Sequence, residues 1–271
     1  MPAPGRLLCI GAHPDDCEVK AAGLAALWTS NGGEARFLAM TDGSAGHHEL
    51  AGQQLVAIRR AEAAAGAAAV GADSVVLDNV DGALEPSLDN RYKVIRAIRE
   101  FRPDVVATHR TCDYHPDHRY TGVVVQDACY MLMVPNVLPG ARVPDREPVV
   151  IFMADRFTKP YPLQADLVFD IDSVLDAKLT SIMSHTSQML EWLPWVNGYF
   201  DELPVESAAR RQSARTRAAL DPIEVANRYR AALVAKYGTE RGSAVRNAEV
   251  FEVCEYGRDL TGEASRALFP F

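Results

Sequence analysis

Apolar and polar residues follow one another along this chain in a pattern that predicts regularly alternating strands and helices. Short, nearly continuous apolar runs, typical of buried strands, span residues 6–12, 34–40, 73–77, 104–108 and 148–154. Stretches with helical periodicity lie between them, at residues 19–31, 53–70, 91–101 and 120–133. Because strands that alternate with helices form parallel sheets, we predict an α/β, Rossmann-like fold with a doubly wound, mostly parallel sheet of order 3-2-1-4-5.

The second half of the chain predicts a shorter sixth strand at residues 165–171 and a closing edge strand at 248–256. A helix from residue 173 is expected to carry Lys178, His185 and Gln188. The stretch 192–204, which holds two Trp and two Pro, is predicted to be an irregular lid or subunit contact, and polar helices follow it to about residue 237. We expect one domain over residues 1–271, with residues 173–247 forming a mainly helical extension packed on it.

Two clusters of histidine and aspartate stand directly after predicted strands. His-Pro-Asp-Asp occupies residues 13–16 after the first strand, and His-Pro-Asp-His occupies residues 115–118 after the fourth. A helix start explains part of each cluster, since Asp is a good N-cap and Pro a good first residue. It leaves His13 and one aspartate unexplained. Polar groups anchored at strand ends in this way usually carry chemistry.

The predicted topology brings these clusters together, because strands one and four are neighbours at the point where the strand order reverses. Ligands of doubly wound sheets bind there, beyond the carboxyl ends of the strands. A dinucleotide is not the expected ligand, since the first turn lacks GxGxxG and its two aspartates would repel a pyrophosphate. A cation is the expected occupant.

Imidazole and carboxylate groups with this spacing suit one divalent metal ion. His13 and Asp16 offer two ligands and a histidine of the second cluster a third, which leaves one position open, as in catalytic zinc sites. Asp15 is then placed to accept a proton, and His115 to stabilise an oxyanion or protonate a leaving amine. Asp117 is expected to orient an imidazole. Zn²⁺ is the predicted metal, with Fe²⁺ as an alternative, because this ligand set suits several divalent ions.

The amino-acid composition limits the classes of partner and the compartment that we expect for this protein. The formal charge of −8 argues against nucleic acid or an anionic membrane as a partner. With neither a signal-like N-terminus nor an apolar run of about 18 residues, the sequence predicts a cytoplasmic protein without membrane insertion. Five cysteines without a CxxC pair indicate reduced thiols rather than a disulfide framework.

Taken together, residues 12–18 and 115–118 resemble the PIG-L/LmbE-like family of zinc-dependent N-deacetylases, which act largely on N-acetylglucosamine derivatives. The resemblance extends to residues 41–43, Arg59 with Glu62, Asp81-Gly82, residues 185–188 and residues 248–251.

The resemblance implies roles for individual residues. It makes His13, Asp16 and His118 the metal ligands. It makes Asp15 the general base and His115 the electrostatic or acid catalyst.

The resemblance also implies substrate contacts. It implies that Arg59 and Asp81 contact sugar hydroxyls, whereas the spacing of Arg59 and Glu62 alone predicts only a surface ion pair. Some family members have a Tyr on the loop before the second motif, and Tyr114, directly before His115, is the candidate for substrate binding here.

We therefore expect a hydrolase that removes an N-acetyl group from an N-acetylglucosamine-like sugar or sugar conjugate. The expected partner is this small molecule, in a homo-oligomeric protein. One alternative is an amidase for a non-sugar or natural-product N-acyl compound, since the two indoles in residues 192–195 could stack on an aglycone. A second alternative is a non-catalytic binding module that contains a metal.

Overall fold

The computed structural model describes residues 5–271, apart from the side chains of residues 263, 264 and 266. Within these residues one mixed sheet contains seven strands. They are Arg6–Gly11 (β1), Glu34–Thr41 (β2), Asp73–Asn79 (β3), Val105–Thr108 (β4), Val149–Met153 (β5), Leu167–Asp170 (β6) and Ala248–Gly257 (β7).

Helices cover both faces of this sheet. The first four are Asp16–Ser30 (α1), Gly52–Ala68 (α2), Leu88–Phe101 (α3) and Pro116–Met131 (α4). The later ones are Leu175–Ile182 (α5), Leu193–Val196 (α6), Ser207–Ala218 (α7), Leu220–Arg228 (α8), Arg230–Tyr237 (α9), Thr239–Ala244 (α10) and Gly262–Leu268 (α11). A π-helix, Ser187–Trp192, precedes α6 directly.

The strand order is β3-β2-β1-β4-β5-β7-β6, which confirms the predicted 3-2-1-4-5 core and its α/β class. The first five strands pair in parallel, and β7 pairs antiparallel with both β5 and β6. The prediction that residues 248–256 form the edge strand is therefore wrong. The physical reason is burial on both faces of β7, since Val250 and Phe251 are almost fully buried in different apolar clusters.

Side chains of β1 alternate between two core layers. Leu7 and Cys9 pack with the Ala-rich face of α1, whereas Leu8 and Ile10 pack with apolar residues of α3 and α4. Both faces of this strand are covered, which explains its nearly continuous apolar sequence. A third cluster packs α8 and α9 on Val168 of β6 and on β7. None of the helices in the described residues is both long and apolar enough to cross a membrane.

The helix predicted from residue 173 is interrupted, which corrects that expectation. Only Lys178 lies in α5, while His185 lies in the turn after it and Gln188 in the π-helix. The carboxylate of Glu62 accepts hydrogen bonds from the backbone amide of Ser187, at 2.7 Å, and from its hydroxyl, at 2.6 Å. This contact with α2 anchors the start of the π-helix and redirects the chain there.

A buried ion pair is inserted against the middle of α1. The carboxylate of Glu249 accepts hydrogen bonds from the backbone amides of Gly23 and Leu24, at 2.8 and 2.7 Å. Lys178 lies 2.7 Å from the same carboxylate and donates to the carbonyl of Val19, also at 2.7 Å. A Cβ at position 23 would lie 2.7 Å from the Glu249 oxygen, so only glycine allows this approach. The pair thus ties α5 and β7 to the helix that begins at Asp16.

Candidate metal centre and cavity

The two histidine and aspartate clusters meet at one edge of the sheet. Strands β1 and β4 are neighbours, with Ile10 opposite Thr108. The loops after them lead into α1 and α4, and residues 13–16 and 115–118 lie at these junctions of loop and helix. Clusters about a hundred residues apart in sequence therefore face one another because the parallel strands that carry them end at the same edge.

Donor groups of three residues form a small triangle at this edge, and Asp16 contributes a different oxygen to each histidine contact. His13 Nδ1 lies 3.2 Å from His118 Nε2 and 3.5 Å from Asp16 Oδ2, and His118 Nε2 lies 3.4 Å from Asp16 Oδ1. Bonds of about 2.0–2.1 Å to a tetrahedral ion place neighbouring ligand atoms about 3.3–3.4 Å apart. The triangle therefore fits three ligands of one divalent metal ion. Ligand atoms within 4.8 Å of one another also occur in two overlapping groups, His13 with His115 and His118, and Asp16 with His109 and His118.

Carboxylates set the orientation of both imidazoles. Asp117 Oδ2 and Asp81 Oδ1 lie 3.2 and 3.3 Å from His13 Nε2, and Asp113 Oδ2 lies 3.1 Å from His118 Nδ1. Because a carboxylate accepts, these nitrogens carry the hydrogens, and the lone pairs of the two other ring nitrogens face each other. Facing lone pairs repel unless a proton or a metal ion lies between them. The donor chemistry therefore fits a bound metal.

The electrostatics of these side chains favour the presence of a positive charge in the site. Burial lowers the pKa of His13, but hydrogen bonds to Asp117, Asp16 and Asp81 outweigh it and hold this pKa well above its ordinary value. Burial raises the pKa of Asp16, but the charges of His118 and His109 and the histidine hydrogen bonds hold it well below its ordinary value. The site thus keeps its carboxylate ionised and attracts a cation.

Asp16 is held in place by its own loop. Its Oδ2 accepts hydrogen bonds from the backbone amides of Ala12 and His13, at 2.9 and 2.8 Å, and lies 3.1 Å from His109 Nε2. A Cβ at Gly11 would lie 2.7 Å from the Cβ of Asp16, so the end of β1 needs glycine for this close approach. These contacts fix the carboxylate before any ligand arrives.

Asp15 has an unusual backbone, with φ of 142° at the N-cap of α1. A non-glycine residue in that region is strained, and such strain is often found at functional sites. Its Oδ2 lies 3.3 Å from Nη2 of the buried Arg59, which also donates to the carbonyl of Pro14. Burial raises the pKa of Asp15, although the charge of Arg59 opposes this. A raised carboxyl pKa suits a group that accepts and returns a proton near neutral pH.

His115 is the N-cap of α4, and its Nδ1 accepts a hydrogen bond from the amide of Asp117 at 3.3 Å. Its ring lies 4.8 Å from that of His13 and 4.7 Å from that of His118, centroid to centroid. Burial lowers the pKa of His115, as do the charges of the two neighbouring histidines. The neutral ring therefore carries its hydrogen on Nε2, where it can be donated.

A cavity of about 430 Å³ lies over these groups. Its lining combines the candidate metal ligands and their neighbours with one wall from the π-helix and α6. The residues are His13, Asp15, Asp16, Val19, Ala45, Gly46, Arg59, Asp81, His115, His118, Gln188, Trp192 and Leu193. The volume lies in the range of small-molecule sites.

Most of the site residues predicted from the sequence line this cavity, but Tyr114 does not. Its side chain is 64 % exposed, and its ring stacks on Phe157 with centroids 4.2 Å apart, outside the lining. Arg59, expected from spacing alone to pair with Glu62 at the surface, is buried and pairs with Asp15.

Sequence reasoning missed the contacts of Asp113 and His109, for which the dense stretch 109–118 was the available signal. It did propose that the indoles of residues 192–195 could contact substrate, and Trp192 lies in the lining together with Gln188.

The chain is similar to several known proteins. Residues 8–129 match the family model for PIG-L, described as GlcNAc-PI de-N-acetylase. Over 198 residues the chain is 29 % identical to a diacetylchitobiose deacetylase of Thermococcus kodakarensis. This alignment covers 70 % of this chain and 73 % of that protein. The chain is also 25 % identical over 193 residues to a 4-oxalmesaconate hydratase of Pseudomonas putida, covering 68 % of this chain and 74 % of that one.

A solved structure shows the same fold over nearly the whole chain. The N,N′-diacetylchitobiose deacetylase from Pyrococcus horikoshii superposes with a TM-score of 0.70 at 23 % identity. The superposition covers 92 % of this chain and 83 % of the other. The shared architecture therefore includes the C-terminal helices, beyond the residues that the family model matches.

Proposed function

We propose that this chain, whose residues 8–129 match the family model for PIG-L, is a metal-dependent hydrolase that removes an N-acetyl group from an N-acetylglucosamine-like sugar or sugar conjugate. The reaction consumes one water and gives a free amine and acetate. We propose Zn²⁺ as the metal, held by His13, Asp16 and His118.

One observation carries this proposal above all others. The imidazoles of His13 and His118 and the carboxylate of Asp16 approach one another pairwise to 3.2–3.5 Å at the base of a cavity that Asp15 and His115 also line. Three protein ligands leave a coordination position free, which is typical of catalytic zinc rather than structural zinc. A non-catalytic binding module would need the metal ligands. It would not need the carboxylate of Asp15, held by a strained backbone, or the hydrogen-bond donor His115 beside them.

The metal and Asp15 have separate tasks in this scheme. When bound, a divalent ion acts as a Lewis acid that polarises a carbonyl oxygen and lowers the pKa of water. Asp15, whose own pKa burial raises, accepts the proton from the attacking water and later returns it towards the amine. Arg59 holds this carboxylate from the side, at 3.3 Å.

We assign to His115 the stabilisation of the negative charge that develops on the amide oxygen. Its Nδ1 is occupied by the Asp117 amide, so its Nε2 hydrogen is the one free to donate towards the cavity. Arg59 and Asp81 are assigned to sugar hydroxyls, since both line the cavity and offer complementary donors and acceptors. Tyr114 would contact the substrate only if its ring moved away from the stack on Phe157.

Two variants test the assignment. Asp15→Asn should abolish acetate release from N-acetylglucosamine compounds and leave close to one equivalent of zinc, since it removes the proton acceptor and no ligand. His118→Ala should lose both zinc and activity. Metal content is measured by elemental analysis after gel filtration. The assignment fails if both variants retain zinc and activity.

Similarity to a hydratase calls for a control reaction. Hydration adds water to a C=C bond and releases no acetate, so the acetate assay distinguishes the two reactions. An enzyme that hydrates an unsaturated acid and leaves every N-acetyl sugar intact would contradict the proposed function.

A further inference from the structure

One apolar side chain near the start of α1 is not buried in the core. Most of this helix is covered, but Val19 is partly exposed and belongs to none of the three apolar clusters in the described residues. It lines the cavity over the candidate metal centre instead. An apolar side chain left open to a cavity gains free energy when an apolar part of a ligand covers it.

The position of Val19 in α1 places it beside the reacting groups. Its backbone amide donates to the carbonyl of Asp15 at 2.9 Å. Residues three and four apart lie on one face of a helix, so Val19 follows Asp16 and Asp15 with about 5–6 Å between Cβ atoms. The other apolar side chains of the described lining, Trp192 and Leu193 among them, come from different elements.

An N-acyl substrate brings an apolar group to the same place. Its amide carbon has to lie at the metal, within reach of the water that Asp15 activates. The first carbon of the acyl chain is bound to this amide carbon, only about 1.5 Å away. Sugar hydroxyls can use the polar lining at Arg59 and Asp81, but the acyl chain has no polar group of its own. Val19 is thus its apolar neighbour on the helix that carries Asp16.

The space beyond Val19 is small and charged. Val19 also borders a second cavity, of about 30 Å³, which Lys178 and Glu249 line. A cavity of this size holds a water molecule but no alkyl chain. The carbonyl of Val19 accepts a hydrogen bond from Lys178 at 2.7 Å, which fixes the helix at this point. A longer acyl chain would have to displace the side chain of Val19 or press on the buried ion pair.

We propose that Val19 is the specificity-determining residue for the acyl group: its side chain covers the methyl of an acetyl group and excludes longer chains by its size. This inference rests on the proposed function and adds to it the residue that recognises the acyl group rather than the sugar. The reaction is the same for every chain length. The C–N bond breaks, a C–O bond forms from water, and the amine takes up a proton.

Kinetics with N-acetyl-, N-propionyl- and N-butyrylglucosamine test the role of Val19, with release of the free amine as the common readout. One methylene in an apolar pocket changes kcat/KM by about 10–200-fold, so the wild-type protein should hydrolyse the butyryl compound roughly 100-fold less efficiently than the acetyl compound. Val19→Ala should raise the ratio of butyryl to acetyl kcat/KM at least about tenfold. Alanine favours the helix, so the variant should keep its fold, which circular dichroism checks.

Two controls separate side-chain volume from a general loosening of the cavity. Val19→Thr keeps the shape and adds a hydroxyl, so it should weaken the acetyl substrate without any gain for the butyryl one. Leu193→Ala enlarges the cavity at α6 and should leave the ratio within about threefold of the wild-type value. The role of Val19 is refuted if Val19→Ala leaves the ratio unchanged, or if either control raises it as much.

Binding supplies a readout independent of turnover. In the Asp15→Asn protein, calorimetry should show N-butyrylglucosamine bound at least about tenfold more weakly than N-acetylglucosamine, and adding Val19→Ala should remove this difference. The same dependence on Val19, without amine release by the wild-type protein, would refute the proposed function and leave the role of Val19 standing. Binding of neither sugar would refute both.

Discussion

Replacing Lys178 with methionine should destabilise the fold strongly, because it leaves the carboxylate of Glu249 buried without its cation. The two side chains are only 2 % and 5 % exposed, and their charged atoms lie 2.7 Å apart. Methionine has nearly the same length and adds no steric conflict. The variant therefore isolates the loss of charge and of the hydrogen bond to Val19.

The size of the destabilisation depends on the contacts that Glu249 keeps after the substitution. Removing one partner of a buried ion pair costs about 3–5 kcal/mol, because the other charge stays out of water. Glu249 keeps its two amide donors from α1, so the loss should not exceed this range. For a chain of this size each kcal/mol shifts Tm by about 2–4 °C, which gives a decrease of roughly 6–20 °C.

Urea unfolding, followed by circular dichroism and by the fluorescence of Trp28 within α1, measures the change. Arg142→Met is the control, since its ion pair with Asp145 is 72 % and 81 % exposed and such pairs contribute about 0–1 kcal/mol. The double variant of Lys178→Met with Glu249→Gln should recover part of the stability, because the unpaired charge is gone. The reasoning is refuted if Lys178→Met stays within about 1 kcal/mol of the wild type, or if the double variant is no more stable than Lys178→Met.

Three further predictions concern other parts of the molecule. Asp113→Asn should weaken zinc binding about 10–100-fold in a chelator competition, because it removes the carboxylate that orients a ligating imidazole. With a thiol reagent on the folded protein, Cys112 should react first, while burial raises the pKa of Cys129 to about 12 and keeps that thiol protonated. His185→Gln should cost most stability below about pH 6.5 and progressively less at higher pH.

The sign of the last prediction follows from the environment of His185. Burial lowers its pKa, but the carboxylate of Glu18, whose Oε1 lies 3.1 Å from His185 Nε2, outweighs this and raises the pKa above its ordinary value. A raised pKa in the folded state adds stability below the unfolded pKa and loses it as the pH rises through the folded one. A stability difference that grows with pH would contradict this.

The other two predictions have equally clear contrary outcomes. Unchanged zinc affinity in Asp113→Asn would mean that the imidazole is oriented without that carboxylate. Labelling of Cys129 as fast as that of Cys112 would mean that the packing around α4 opens readily.

The sequence by itself determined the sheet core and the pairing of the two chemical clusters. Short, nearly continuous apolar runs, separated by helical stretches, are local signals, and right-handed crossovers leave few strand orders open. Strands β1 and β4 then had to end side by side. The positions of His13, Asp16 and His118 at one edge of the sheet follow from that topology together with their places in the chain.

Only the tertiary structure decided which groups meet across longer distances. β7 lies inside the sheet, and Arg59 pairs with Asp15 rather than Glu62. Trp192 reaches the cavity because Glu62 holds the start of the π-helix. Each of these outcomes depends on competition between several possible partners, which is settled by packing and burial in three dimensions and leaves no periodic signal along the chain.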